Sequence, residues 1–340
     1  MNKVNRESLL QVLELVRPGL SAKEIEEQSS CFVFKDGRVV TFNDEISCSH
    51  KSPMNFEGAV PAKCFLEYLQ KSPDVDLDVE EDDDELILVG KKRRTGFTME
   101  REIMLRVDLV EEPGEWKPLK PDFREAISIV EQCAGKDESK FKLTCVHITS
   151  KYIEAFDNYQ MARYLIKVPV TDEFLVRRDA IKHIIALDMV ELSETASWIH
   201  FRNSAGLIIS CRRYDEKYPA IGKYLDVNGR PAVLPKGLTE VLERAGIFSE
   251  EKKDADVIRV EMQKGKVRIR GQGSIGWHSE VRKIKYEGPP LTFYIAPKLL
   301  ADITTKYNQC EITSEYLKVS NGKFTYISTL SESEDNHAAE

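Results

Sequence analysis

The residues best able to do chemistry are scattered through this sequence without the partners that catalysis needs. Six histidines (His50, His147, His183, His200, His278 and His337) show no HExxH step and no paired spacing that would hold a metal. No GxSxG elbow, Walker loop or dinucleotide fingerprint occurs. The glycine-rich "GQGSIG" from Gly271 would cradle phosphate only if a helix followed a strand there. It lies between "KVRIR" and "EVRKIKY", both strand-like, so a hairpin loop is expected.

Asp74, Asp76, Asp78 and Glu85 match positions 1, 3, 5 and 12 of a calcium loop, but Val79 stands where its turn requires glycine. Val75, Leu77 and Val79 instead alternate with the acids, as in a half-buried strand with a solvated hairpin. Seven cysteines, Cys31, Cys48, Cys64, Cys133, Cys145, Cys211 and Cys310, are odd in number and never in CxxC spacing. Buried free thiols are expected, rather than a disulfide framework or zinc site. No catalytic residue, metal or cofactor is assigned.

The elements that would position binding residues recur three times. An opening helix is expected from Leu9, Val12, Leu13 and Val16, again from Phe123, Ile127, Val130 and Ala134, and again from Leu238, Val241, Leu242 and Ala245. Asn5 suits a cap for the first, and Pro121 and Pro235 suit the first turns of the others. A second helix follows in "VPAKCFLEYL" from Val60, "VRRDAIKHIIAL" from Val176 and "IAPKLLADITTK" from Ile295, so the period is roughly 115 to 120 residues. Short alternating runs follow each second helix and predict strands, with breaks such as Asn203 to Gly206 and Asn321-Gly322.

A unit of that length can bury its own core, so the 340 residues read as tandem domains rather than a solenoid. With 41% apolar and 31% charged residues the composition is that of a soluble globular protein. No apolar run approaches the roughly 20 residues that span a bilayer, and the N-terminus has no signal-peptide pattern, so no membrane role and a cytoplasmic location are expected. Net charge is −8, with acid concentrated in Asp74 to Glu85 and Glu332 to Glu340. The repeated helices carry Arg6, Lys63, Lys71, Lys120, Arg124, Arg177, Arg178, Lys182, Lys236, Arg244, Lys298 and Lys306. If they share a surface, it is basic within an acidic protein; otherwise they are solvated faces of amphipathic helices.

The string "VPAKCFLEYLQKSPDVDLDVEEDDDELILVGKKRRTGFTM" from Val60 resembles the end of the first domain of the bacterial DNA polymerase III β subunit, the replicative sliding clamp. "AFDNYQMA" from Ala155 stands where that family has an "ATDGHRLA" segment, and "YDEKYPAIGKYL" from Tyr214 resembles its linker "DGRFPDYRRVLP". "LERAGIFSEEKKDADVIRVEMQKGKVRI" from Leu242 is similar to its third-domain helix, apolar pair and strands. In order, the likeness covers Val4 to Leu330.

The resemblance implies an α+β chain of three tandem clamp domains, each with two inner helices and outer antiparallel sheets, over residues 1–119, 120–232 and 233–330. Two chains would meet head to tail in a homodimeric ring, removing two open sheet edges. Phe97 and Met99 match one interface patch, and Ile247 and Phe248 the other. The implied function is a non-catalytic processivity factor encircling duplex DNA without reading its sequence. Lys23, Lys63, Lys71, Lys140, Arg177, Arg178 and Lys298 are its candidate phosphate contacts.

Polymerase and clamp loader would be tethered through short linear peptides. The matching groove positions are Leu143, Phe156, Asn158, Tyr159, Gln160, Met161, Pro219, Lys223, Tyr224, Tyr326 and Ile327, several of them anchoring aromatics or Met. Residues 331–340, "SESEDNHAAE", read as a disordered acidic tail. Two rival readings stand beside this one. One is a clamp-fold peptide adaptor that never closes on DNA, and the other is a metal-dependent nucleic-acid enzyme using Asp74 to Glu85.

Overall fold

The computed structural model describes residues 2–24, 26–252 and 255–330. Within them a strand, a helix, four strands, a second helix and three strands follow one another, and this order occurs three times. The first pass comprises β1 (Asn2–Asn5), α1 (Arg6–Val16), β2 (Cys31–Lys35), β3 (Arg38–Phe42), β4 (Ile46–Lys51), β5 (Gly58–Pro61), α2 (Ala62–Lys71), β6 (Asp76–Asp82), β7 (Glu85–Val89) and β8 (Arg94–Thr98). The second comprises β9 (Lys117–Pro118), α3 (Phe123–Glu131), β10 (Cys145–Ile148), β11 (Tyr152–Phe156), β12 (Gln160–Leu165), β13 (Phe174–Arg177), α4 (Arg178–Ala186), β14 (Glu191–Glu194), β15 (Trp198–Arg202) and β16 (Ile208–Arg212). The third is β17 (Arg230–Val233), α5 (Leu238–Gly246), β18 (Glu250–Lys252), β19 (Ala255–Gln263), β20 (Lys266–Gly273), β21 (Gly276–Lys283), β22 (Leu291–Ile295), α6 (Pro297–Lys306), β23 (Gln309–Ile312), β24 (Tyr316–Asn321) and β25 (Phe324–Thr329), where β18 is an addition.

The local causes are visible at the helix starts. Asn5 caps α1, its side chain accepting the Ser8 backbone N–H at 3.0 Å, and the apolar stripe buries Leu9, Leu13 and Val16. Full burial of each such side chain is worth about 1.5–3 kcal/mol. Pro121 and Pro235 do not enter the first helical turns, because α3 begins at Phe123 and α5 at Leu238, just beyond each proline. Before α5 the chain turns through Gly237 at φ 70°, a left-handed conformation that glycine adopts without a Cβ clash.

The two ambiguous motifs are both hairpins. In "GQGSIG" the β20 and β21 ladder runs into the glycines and closes at Gly273 opposite Gly276. A Cβ on Gly271 would sit 1.9 Å from the Ala245 carbonyl oxygen of α5, so glycine there lets the helix lie close on the sheet. The acidic stretch is the β6–β7 hairpin, with Asp82 opposite Glu85 and Asp83 at φ 40°. Leu77 and Val79 are buried, whereas Val75 precedes the strand and is exposed. Asp74 leaves the hairpin altogether, buried and 3.2 Å from Arg93 Nη1.

By contacts the chain divides into two compact units, Met1–Arg124 with Val168–Glu216, and Glu125–Lys167 with Lys217–Glu340. The first holds a four-stranded sheet, β1-β6-β7-β8, and an eight-stranded one, β5-β2-β3-β4-β16-β15-β14-β9. The second holds the run β10-β11-β12-β25-β24-β23-β17 and a five-stranded sheet in which β18, β19, β20 and β21 follow in order and β22 also pairs with β19. The units cut across the repeats because hydrogen bonding does: β4 pairs with β16, and β12 with β25. No helix among the described residues is long and apolar enough to cross a membrane. No disulfide joins the seven cysteines, and all but Cys64 are buried. Burial pushes the Cys48 thiol up to about 12, so it stays protonated and inert.

Candidate functional site

A groove of about 820 Å³ opens on the second unit. Its base follows from sheet register. Phe156 on β11 lies opposite Met161 on β12, and Met161 lies opposite Ile327 on β25, which puts an apolar row across three strands. Thr329, two residues further along β25, lies opposite Tyr316 on β24 and extends the lining. The segment from Pro219 to Val227 forms the other wall through a short 3-10 turn at Gly222–Tyr224. Ile221 is buried, Tyr224 is 50% exposed, and the Lys223 ammonium sits 4.8 Å from the Tyr224 ring centroid. Asp157 and Asn158 add polar groups at the β11–β12 turn.

A buried polar network stiffens this base. Glu154 accepts from His147 Nδ1 at 2.8 Å and from Arg163 Nε at 2.7 Å, and the Arg163 guanidinium lies over the Tyr152 ring. Tyr218 packs on His147 and edge-on against Phe156, and its hydroxyl accepts the Phe156 backbone N–H at 3.2 Å. Burial, then the Glu154 carboxylate, push the Tyr218 phenol well up, so it remains neutral. The wall and the apolar row are therefore fixed to one another before any ligand arrives.

Of the eleven groove residues expected from sequence, Phe156, Asn158, Met161, Pro219, Lys223, Tyr224 and Ile327 line this cavity. The other four do not. Gln160 turns back to tie the hairpin, its Nε2 donating to the Gln132 carbonyl at 3.1 Å. Tyr326 is fully buried on the opposite face of β25, and burial raises its phenol. Tyr159 is exposed beside the groove, its carbonyl accepting from Thr329, while the Leu143 carbonyl accepts the Gly135 N–H. Asp157, Ala220, Ile221, Gly222, Val227, Tyr316 and Thr329 were not expected. Tyr316 and Thr329 are legible only through strand pairing, whereas Ala220, Ile221 and Gly222 lie within the segment from Tyr214 to Leu225 and Val227 lies two residues beyond it.

The candidate phosphate contacts divide between the units. In the first, Lys23 and Lys63 are exposed, Lys71 is 3.9 Å from Glu67, Arg178 opens α4, and Arg177 is 3.9 Å from Glu45. In the second, Lys140 is 3.9 Å from Asp137 and Lys298 is exposed. Lys63, Arg178 and Lys298 each stand in the first turn of the second helix of a repeat. The helix dipole disfavours cations there, so this placement costs helix stability and calls for another reason. Arg6 is not a free surface charge: its guanidinium donates to the Leu69 and Asp74 carbonyls, capping the end of α2.

Of the four expected interface residues, Phe97 is half-buried, its ring edge-on to Phe65 and Tyr68 of α2. Met99 is 1% exposed against Gly58 and belongs to the core of its own unit. Ile247 is 66% exposed, and Phe248 stacks on His278. The expected acidic tail, residues 331–340, lies outside the described residues.

The architecture is that of a DNA sliding clamp, with large antiparallel sheets and few helices. Among solved structures, the chain is similar to the DNA polymerase III subunit beta from Pseudomonas aeruginosa at 16% identity and a TM-score of 0.78. The likeness covers 97% of this chain and 99% of that one. A DnaN sliding clamp from Bartonella birtlesii bound to griselimycin matches at 12% identity and a TM-score of 0.82, and the beta subunit from DNA polymerase of Streptococcus pyogenes at 19% and 0.76, both with the same coverage. No protein-family model and no curated protein matches the sequence.

Proposed function

We propose that the chain is a DNA polymerase processivity factor, a sliding clamp that closes as a homodimeric ring around duplex DNA and has no catalytic activity of its own. The single observation that carries this reading is a threefold repeat of one element order in a chain whose likeness to solved sliding clamps spans 97% of its length. The repeats are assigned as three clamp domains over residues 1–119, 120–232 and 233–330, in the cytoplasm with the replication apparatus.

Ring closure has a physical motive. β8 ends the four-stranded sheet and β21 ends the five-stranded one, and among the described residues no further strand pairs with either edge. In a two-fold dimer each β8 would add to the partner's β21, removing both edges at once. Phe97 and the exposed Ile247 flank those edges, with Phe248 behind Ile247; Met99 supports β8 from inside.

Lys63, Arg178 and Lys298, together with Lys23, Lys71, Lys140 and Arg177, would hold DNA phosphates without reading bases. The groove on the second unit would take linear peptides from polymerase and clamp loader, seating apolar side chains on Phe156, Met161 and Ile327 against Tyr224. Retention on nicked circular DNA, with release when the circle is linearised, tests the reading. Equal retention on both forms would overturn it. A monomer by light scattering at micromolar concentration would favour the open peptide adaptor instead.

A further inference from the structure

One face of the five-stranded sheet has no role in that reading. α5 packs on the other side, where Gly271 meets it. On the outward face, register places Tyr294, Arg259, Arg270 and Ser279 in one row across β22, β19, β20 and β21. The next row carries Thr292, Glu261, Arg268 and Val281, and the one beyond it Gln263, Lys266 and Lys283. Within an acidic protein, these three rows thus hold five cations and a single carboxylate.

Arg259 and Arg270 are direct cross-strand neighbours, and like charges in that relation destabilise a sheet. Among the described residues, neither Nε, both of them buried, finds a hydrogen-bond acceptor. Glu261 approaches Arg259 Nε to 3.2 Å but is not aligned to accept from it, and it also serves Arg268 at 3.1 Å. Among the described residues Arg270 has no carboxylate partner; its guanidinium instead lies 5.5 Å from the Trp277 ring centroid. Trp277 is 64% exposed and stands two residues along β21 from the arginine row, about 7 Å away at the usual strand rise. A bound phosphate would relieve the arginine repulsion and supply the missing acceptors.

We propose that this sheet face binds single-stranded nucleic acid, with Arg259 and Arg270 clamping one backbone phosphate and Trp277 stacking an adjacent base. Single strands fit better than duplex because an exposed aromatic face needs an unstacked base to meet it. Lys266, Arg268 and Lys283 continue the positive track away from Trp277. The proposal does not rest on ring closure and concerns a different surface from the candidate duplex contacts.

The test is anisotropy of a short fluorescein-labelled oligothymidylate with the full chain over a salt titration. Arg259→Ala with Arg270→Ala is expected to weaken binding about tenfold and to lower the slope of log K against log salt by about 0.7, one single-strand phosphate contact. Arg259→Lys with Arg270→Lys should keep that slope. Trp277→Ala should weaken binding about tenfold with the slope unchanged. Absence of oligothymidylate binding by the unmodified chain, or binding by the double alanine variant that matches it in affinity and slope, would overturn the proposal. So would displacement of the oligonucleotide by equimolar SESEDNHAAE peptide, which would assign the face to acidic protein segments. Retention on nicked circular DNA should be unchanged in the Arg259 and Arg270 variants, which lie on β19 and β20 away from the edge strand, so failure here and failure of the ring are separable.

Discussion

Acid should loosen the first unit through a single buried imidazole. His200 on β15 is fully buried, its Nδ1 2.8 Å from Ser210 Oγ and its Nε2 3.2 Å from Thr195 Oγ1. Burial depresses its pKa from 6.5 to about 4, with the Glu111 carboxylate opposing only weakly. Because the folded value is lowered, the unfolded chain takes up a proton first as pH falls. Stability from this group is therefore complete above pH 6.5, declines between 6.5 and about 4, and is constant below that. The interval corresponds to about 3 kcal/mol at about 1.36 kcal/mol per pH unit. β15 is bonded to β16, and β16 to β4, so the loss falls on the seam where one repeat's sheet continues into the next. Urea unfolding followed by tryptophan fluorescence reads it, since Trp198 is buried two residues away on the same strand. His200→Gln removes the titrating group and should flatten this part of the profile relative to the unmodified chain. Parallel profiles for the two proteins between pH 6.5 and 4 would refute the reasoning.

Three further outcomes follow from the geometry. Gly271→Ala forces a Cβ into the Ala245 carbonyl and should destabilise the second unit by about 1–3 kcal/mol in thermal unfolding, whereas a neutral effect would show that α5 shifts freely. Tyr224→Ala removes an exposed aromatic from the groove wall; affinity for a labelled linear peptide bearing adjacent Leu and Phe should fall about tenfold, with unchanged affinity counting against the groove as the peptide site. Phe97→Asp with Ile247→Asp should convert a dimer to monomer by light scattering and abolish retention on nicked circular DNA. A persistent dimer would place the interface elsewhere.

The groove shows where sequence reading reached and where it stopped. Residues near in sequence to a distinctive segment line one cavity: Phe156, Asn158 and Met161 at one hairpin, and Pro219, Lys223 and Tyr224 in one loop. Gln160 and Tyr326 lie off the cavity, because alternation along a strand says that two faces exist without saying which one is outward. Gln160 points back to Gln132, and Tyr326 into the core. Tyr316 and Thr329 were missed because they become neighbours only when β24 pairs with β25. Met99 has the same history, since its burial depends on the approach of Gly58.

By itself the sequence determined the periodic part of this protein: the helix stripes at Leu9 and Leu13 or Val241 and Leu242, the Asn5 cap, the hairpins at Asp83 and Ser274, and their recurrence three times. These depend on contacts within a few residues, where spacing and backbone preference act directly. Only the tertiary structure decided that sheets continue from one repeat into the next, that Arg6 caps α2 instead of facing solvent, and that Arg259 stands opposite Arg270. Those outcomes depend on strand register and on which surfaces exclude water together, and both are settled by residues distant in the chain competing for the same partners.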